Sequence, residues 1–279
     1  MQRRADLHVH TTASDGALTP TQMVEAASAA GLAAVGIADH DTVDGIAEAL
    51  EAGKRFGIEV VPAIEISAVE DHTEVHILGY FVDHRHPGLV ERMRVLKESR
   101  RERGRLMVER LNAIGVPVDF ARVEEIAQGG AVGRPHVARA ICEIDAASSI
   151  DAAFGKYLQV GAPAYVPRVK VTPVEAIRIV QEAEGVPCCA HVGKLKCDGL
   201  ILDLMRHGLA AIEVYHPDHG AAATRFYERF AEQHGLLATG GSDAHCIPGT
   251  NSPWVGGVTV DYIVVDRLRS CAARHRGSL

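Results

Sequence analysis

A chain of 279 residues with 47% hydrophobic content can bury one large core, and its net charge of −7 excludes a broad basic surface for gripping nucleic-acid backbones. The six cysteines, Cys142, Cys188, Cys189, Cys197, Cys246 and Cys271, form no CxxC pair and no zinc-finger spacing, so reduced structural thiols are expected. No apolar run approaches the ~20 residues that span a bilayer, and the first residues, MQRRADLHVH, lack an apolar leader core. These features predict a cytoplasmic protein without a membrane partner.

The first strand pattern is ADLHVH, followed by TPTQMVEAASAAG, in which Thr19 caps a helix, Pro20 fits its first turn, Gln22 completes a capping box and Gly31 stops it. LAAVGIA reads as a buried strand, and a helix from about Val43 to Phe56 ends at Gly57. This βαβα order predicts parallel strands with right-handed crossovers. Strands near Glu59 to Ser67 and Glu74 to Phe81 follow, joined by a short non-helical link. A long helix then runs from about Pro87 to Gly115, with short helical pieces at Phe120 to Gln128, His136 to Glu143 and Ile150 to Leu158. TPVEAIRIVQEAEG repeats the Thr-Pro capping box at Thr172, Pro173 and Glu175, and the strands VPCCAHV, LAAIEVYH and LLATGGSD complete the count at seven.

The pattern predicts an α/β protein with a seven-stranded, TIM-like (β/α)7 barrel formed by residues 1–99 and 166–279. Residues 100–165 are expected to form a small helical insert over one end of it.

Each apolar run finishes in, or carries near its end, a histidine or carboxylate. His8 and His10 form an HxH pair on one face of an extended strand, so both imidazoles can reach one cation. Asp39 and His40, Glu65, His76, His191, Asp243 and His245 stand at the ends of other strands, and a parallel barrel gathers such ends on one rim. Mixed imidazole and carboxylate shells suit Mn, Fe or Zn better than Mg or Ca. A carboxylate shared by two ions would hold them roughly 3.5–4 Å apart, close enough to share one water and activate it as a metal-bound hydroxide.

The segments DLHVHTTASDG, GIADHDT, PAIEIS, HILGY, AHVGK and GSDAH, in that order from residue 6 to about 250, resemble the motifs of the PHP (polymerase and histidinol phosphatase) family. The resemblance implies a distorted (β/α)7 barrel with two or three divalent metals at the strand carboxyl ends. A first would sit on His8, His10, Glu65 and Asp243, a second on Glu65, His76 and His191, and a third on Asp15, His40 and His245. Asp15 matches the smaller phosphoesterase branch, although Asp before Gly is also ordinary turn chemistry. Asp243, His245, Glu65 and His191 are the expected catalytic set.

For the substrate, GGAVGRPHVAR resembles the substrate-facing loop of that branch, and Arg134 is the preferred phosphate ligand because a planar guanidinium binds phosphate bidentately. His136, Lys156, Arg168 and His216 are further candidates. The arginine-rich stretch Arg100 to Arg110 interleaves with Glu98, Glu102 and Glu109 and reads as a solvated, ion-paired helix face rather than an RNA track.

The expected activity is metal-dependent hydrolysis of a phosphomonoester on a small molecule, above all the 3′-phosphate of a 3′,5′-bisphosphonucleotide. A 5′-3′ exonuclease acting on short RNA, a histidinol-phosphate phosphatase and a non-catalytic metal-binding module are the alternatives. No stable protein partner is inferred.

Overall fold

A computed structural model of the chain describes residues 3–71, 73–167, 171–195, 197–247 and 254–276. Strand β1 (Arg4–Val9) leads to helix α1 (Pro20–Ala29), β2 (Ala34–Ile37), α2 (Ile46–Phe56), β3 (Glu59–Glu70) and β4 (Thr73–Tyr80). Helices α3 (Pro87–Ala113), α4 (Phe120–Ala127), α5 (Arg134–Glu143) and α6 (Ile150–Ala153) follow, and α6 runs on into one π-helical turn at Phe154–Leu158. The chain then forms α7 (Pro173–Glu182), β5 (Val186–Cys189), α8 (Val192–Leu195), α9 (Asp198–Met205), β6 (Ala211–Tyr215), α10 (Ala221–His234), β7 (Leu237–Gly240), β8 (Val260–Asp261) and α11 (Ile263–Arg276).

The strands make one sheet in the order β7-β6-β5-β4-β3-β2-β1-β8. All seven expected runs are strands. The two-residue β8, not expected from the sequence, pairs antiparallel with β1 at Arg4 and Ala5. The sheet curls into a barrel whose rim closes where Val9 bridges to Ala244 and the His10 amide donates to the Ala244 carbonyl at 2.9 Å.

One expectation about direction needs correcting. β4 is antiparallel to both β3 and β5. The link from β3 to β4 spans only residues 71–72, far short of the dozen or so residues that a parallel crossover needs. His76 therefore stands in mid-strand, opposite Ser67, and reaches the rim because β4 begins there.

Alternation sorts the strand residues into two faces. Ile64, Ile66, Ile77, Ile212 and Val214 point outward and pack on Ile177 and Val180 of α7 and on Tyr227 and Phe230 of α10. Burying each such side chain contributes about 1.5–3 kcal/mol. The capping boxes form as read: Thr19 with Gln22 and Thr172 with Glu175, with proline in the first turn of each helix. Gly57 takes the left-handed φ of 67° that ends α2.

A separate apolar cluster joins Met107, Leu111, Val123, Val137, Ile141 and Leu158 within the helical stretch 107–166. The reading of Arg100 to Arg110 as a solvated face holds for Arg101 and Arg105, which pair with Glu124, Glu102 and Glu109. It fails for Arg100 and Arg103, both only 7% exposed. α3 turns these two inward. Arg100 bonds Asp41 at 2.5 Å and Ser67 at 2.8 Å, and Arg103 donates to the Val166 carbonyl at 2.7 Å.

Candidate metal centre

β1 carries His8 and His10 into the barrel rim, and the two Nε2 atoms lie 3.1 Å apart. Glu65 of β3 brings Oε2 to 3.3 Å from each of them, and Asp243, just past β7, brings Oδ1 to 3.5 Å from His8 and 3.0 Å from His10. Ligands at 2.0–2.2 Å in a tetrahedron stand about 3.3–3.6 Å apart, so three of these separations match the edges of one coordination shell and the other two, 3.0 and 3.1 Å, fall just short of it.

The other oxygen of Glu65 faces His76 Nδ1 at 2.7 Å and His191 Nε2 at 3.2 Å, and His40 Nδ1 lies 3.0 Å from Oε2. Asp15 Oδ1 is 3.3 Å from His245 Nε2 and 3.9 Å from His10 Nδ1, within a group that also includes His40. The three sets anticipated from the sequence thus merge into one continuous cluster, with Glu65, His10 and His40 shared between neighbouring groups.

Local sequence explains the convergence. Gly241 packs so closely on β1 that a Cβ there would come 2.4 Å from the His8 nitrogen, so the glycine pair after β7 lets Asp243 approach. His191 and Asp243 both adopt positive φ, at 31° and 51°, backbone that non-glycine residues enter at a cost.

The donor chemistry fits a divalent ion. His10 Nδ1, Asp15 Oδ1, His40 Nδ1, Glu65 Oε2, His76 Nε2 and His191 Nδ1 are buried without a hydrogen-bond partner, a costly condition for polar atoms unless a cation satisfies them. Burial pushes Glu65, Asp243 and Asp15 up, but surrounding imidazoles outweigh it and hold all three carboxyls well below their usual range. Burial opposes charge on His8 too, yet Glu213, Glu65 and Asp243 keep its proton well above the ordinary imidazole value. Burial lowers His40 to about 4. Anionic oxygens beside rings that hold protons only because of those oxygens are a site in which a metal can replace the protons.

Comparison with known proteins agrees. The PHP domain model matches residues 6–116. The 5′-3′ exoribonuclease Rnm of Escherichia coli is 36% identical over 257 residues, covering 90% of this chain and 86% of that protein. The 3′,5′-nucleoside bisphosphate phosphatase of Chromobacterium violaceum is 34% identical over 257 residues, covering 90% of each. A solved structure from Bifidobacterium adolescentis, assigned as a metal-dependent phosphoesterase, superposes with a TM-score of 0.89 at 30% identity over 96% of each chain.

The chain belongs to the PHP family. It is a metal-dependent phosphoesterase, a hydrolase of phosphoric ester bonds.

Around the PHP centre the anticipated substrate residues scatter. Arg134 lies near the mouth but bonds Glu74 through one nitrogen at 2.9 and 3.2 Å. His136 accepts the Gly133 amide at 2.9 Å and lines a cavity of about 220 Å³ beside Asp15. Lys156 is exposed over the Tyr157 ring and lines neither this cavity nor the one at the metal cluster. Arg168 lies outside the described residues. His216 sits behind Asp243 with its side chain 2% exposed; its Nδ1 accepts the Asp218 amide, so Nε2 donates to Asp243 Oδ2 at 3.3 Å. Asp39, read among the strand-end donors, is instead satisfied by the Thr11 amide and the Thr11 and Ser14 hydroxyls at 2.6–2.7 Å.

Sequence reading missed the carboxylates that hold the centre from behind. Asp6 accepts from Ser242, Gly256 and His8 amides, and Glu213 from His8 and His191. The available signal was a lone acid inside an apolar strand, in ADLHVH and AAIEVY. Lys194, three residues after His191, lines the roughly 230 Å³ cavity over His76 and His191 and pairs with Asp218; it too was unmarked.

No helix among the described residues is long and apolar enough to cross a membrane.

Proposed function

We propose that this phosphoesterase removes the 3′-phosphate from a 3′,5′-bisphosphonucleotide, with His8, His10, Asp15, His40, Glu65, His76, His191, Asp243 and His245 holding two or three Mn, Fe or Zn ions. The observation that carries the reading is the meeting of His8, His10, Glu65 and Asp243 donor atoms at coordination-shell spacing. Bound there, divalent ions supply Lewis acidity, lowering the pKa of water and neutralising phosphoryl oxygens.

The chain's own groups do the rest. His216, behind Asp243, fixes that carboxylate, and Arg134 and Lys194 flank the mouth as cations whose carboxylate partners a phosphate can displace. We read residues 100–165 as an insert that caps the mouth, supported by the apolar cluster of that stretch and by the place of His136 beside Asp15. The likeness to the Chromobacterium violaceum bisphosphate phosphatase over 90% of both chains supports the substrate.

Purified protein with Mn is expected to release inorganic phosphate from 3′-phosphoadenosine 5′-phosphate; no release with any divalent metal overturns the assignment. A second reading, a 5′-3′ exonuclease on short RNA, is favoured by the 36% identity to the Escherichia coli exoribonuclease. Mononucleotides released from a 5′-phosphorylated oligomer faster than phosphate from the bisphosphate would select it.

A further inference from the structure

We infer that Glu213 is a positioning residue of the metal centre: it fixes which nitrogen of His8 faces the donor cluster and, with its other oxygen, holds the backbone at His191. The inference rests on the reading that the cluster holds divalent ions.

Glu213 lies at the centre of β6 with no exposure, between Ile212 and Val214, which face the outer apolar layer. A carboxylate in such a place costs several kcal/mol unless it is fully bonded. Among the described residues no lysine or arginine pairs with it. Its Oε1 lies 2.9 Å from His8 Nδ1 and its Oε2 accepts the His191 backbone amide at 2.8 Å.

Both contacts demand an acceptor. The amide can only donate, and an ionised carboxylate can only accept, so the hydrogen of the first contact resides on His8 Nδ1. Once a metal has replaced the ring's second proton, that leaves His8 Nε2 as the nitrogen with a lone pair to give. Nε2 is the atom 3.1 Å from His10 Nε2 and 3.3 Å from Glu65 Oε2. Glu213 itself belongs to none of the groups of converging donors. It stands behind one ligand and beside the backbone of another, where a carboxylate orients a metal-bound imidazole and raises its basicity.

The same count shows what a near-isosteric change does. Glutamine offers one acceptor and one NH2 donor to two partners that both donate. The His191 amide cannot reverse, so the amide oxygen stays with it and the NH2 turns to His8 Nδ1. The ring must then accept at Nδ1 and carry its proton on Nε2, which blocks the atom that faces the cluster. Aspartate keeps both acceptors and loses only a methylene of reach.

The test uses the full chain, stripped by chelator and titrated with Zn. Wild type, Glu213→Gln and Glu213→Asp are followed by calorimetry, and the ring 15N–1H spectrum of each Zn-loaded protein is recorded. Wild-type His8 should show an exchange-protected Nδ1–H. Glu213→Gln should weaken Zn binding by about 10- to 100-fold or lose one ion, and Glu213→Asp should recover most of the affinity. Equal Zn affinity and stoichiometry in wild type and Glu213→Gln overturns the inference, as does a loaded wild type lacking Nδ1–H on His8. The wild-type spectrum decides even if Glu213→Gln fails to fold. No Zn uptake by wild type sinks the metal reading itself, which the titration distinguishes from a failure confined to Glu213.

Discussion

The helices over residues 107–166 bury Met107, Leu111, Val123, Val137 and Ile141 against one another, in a cluster that holds no histidine, carboxylate, lysine or arginine. At the barrel rim, His8, His10 and Glu65 are just as deeply buried and are crowded together with atoms that lack hydrogen-bond partners. The first region gains stability from every side chain it hides. The second gives stability up, since desolvated imidazoles and carboxylates and left-handed backbone at His191 and Asp243 all cost free energy. Substitutions in the two regions should therefore fail in opposite ways, one through chemistry and the other through folding.

The largest effect is expected at the rim. Asp243→Ala removes an oxygen from the first donor set, and kcat/KM for phosphate release should fall on the order of 10³-fold or more. Its neighbours are histidines, which can shed the protons that Asp243 helps them hold instead of being stranded as fixed charges, so the metal-free variant should still fold and melt cooperatively. A melting curve that collapses along with the activity would show that the rim is structural after all. Leu111→Ala provides the converse. Leu111 is fully buried, and the truncation should cost about 2–5 kcal/mol in denaturant unfolding while zinc stoichiometry stays unchanged.

The contrast also separates what the sequence discloses from what it hides. Most of the donors were legible because they end or interrupt an apolar run, and the HxH spacing around a buried Val9 puts His8 and His10 on one face of β1. The capping boxes at Thr19 and Thr172 were legible for a similar reason, being wholly local. What holds the donors from behind was not. Glu213 lies more than 200 positions from His8, and only closure of the barrel brings them to 2.9 Å. Arg100 shares a helical stretch with solvated arginines, and whether it faces Asp41 or water depends on where α3 lies, which charge spacing does not encode. The direction of β4 was hidden in a two-residue link.

Metal removal sharpens the comparison further. Burial alone would lower the His245 ring, but Asp15 and Asp243 hold its proton up to about 10 in the metal-free protein. Between the ordinary value near 6.5 and about 10 the folded chain then binds more protons than the unfolded one. Stability from this group is full below pH 6.5 and is lost as pH rises toward 10. The melting temperature of chelator-treated protein should fall across that window. With saturating Zn the ring has already surrendered its proton, so the slope should flatten; equal slopes with and without metal would speak against His245 as a ligand.

The smallest effects come from two helix caps of the same chemistry in different places. Thr172→Ala removes the cap of α7, which packs on the outer face of the sheet, and Thr19→Ala removes the cap of α1. Each should cost about 1 kcal/mol in stability. They should differ in activity. The segment before Thr19 carries Asp15 and is tied to the rim through the Ala17 amide on the His245 carbonyl and the Thr12 amide on the Leu18 carbonyl, at 2.8 and 2.9 Å. Loosening that anchor should lower kcat a few-fold, whereas Thr172→Ala should leave kcat at the wild-type value. If both variants lose stability and neither loses activity, the Asp15 loop is held by its rim contacts alone, and the cap of α1 plays no part in placing the third group of donors.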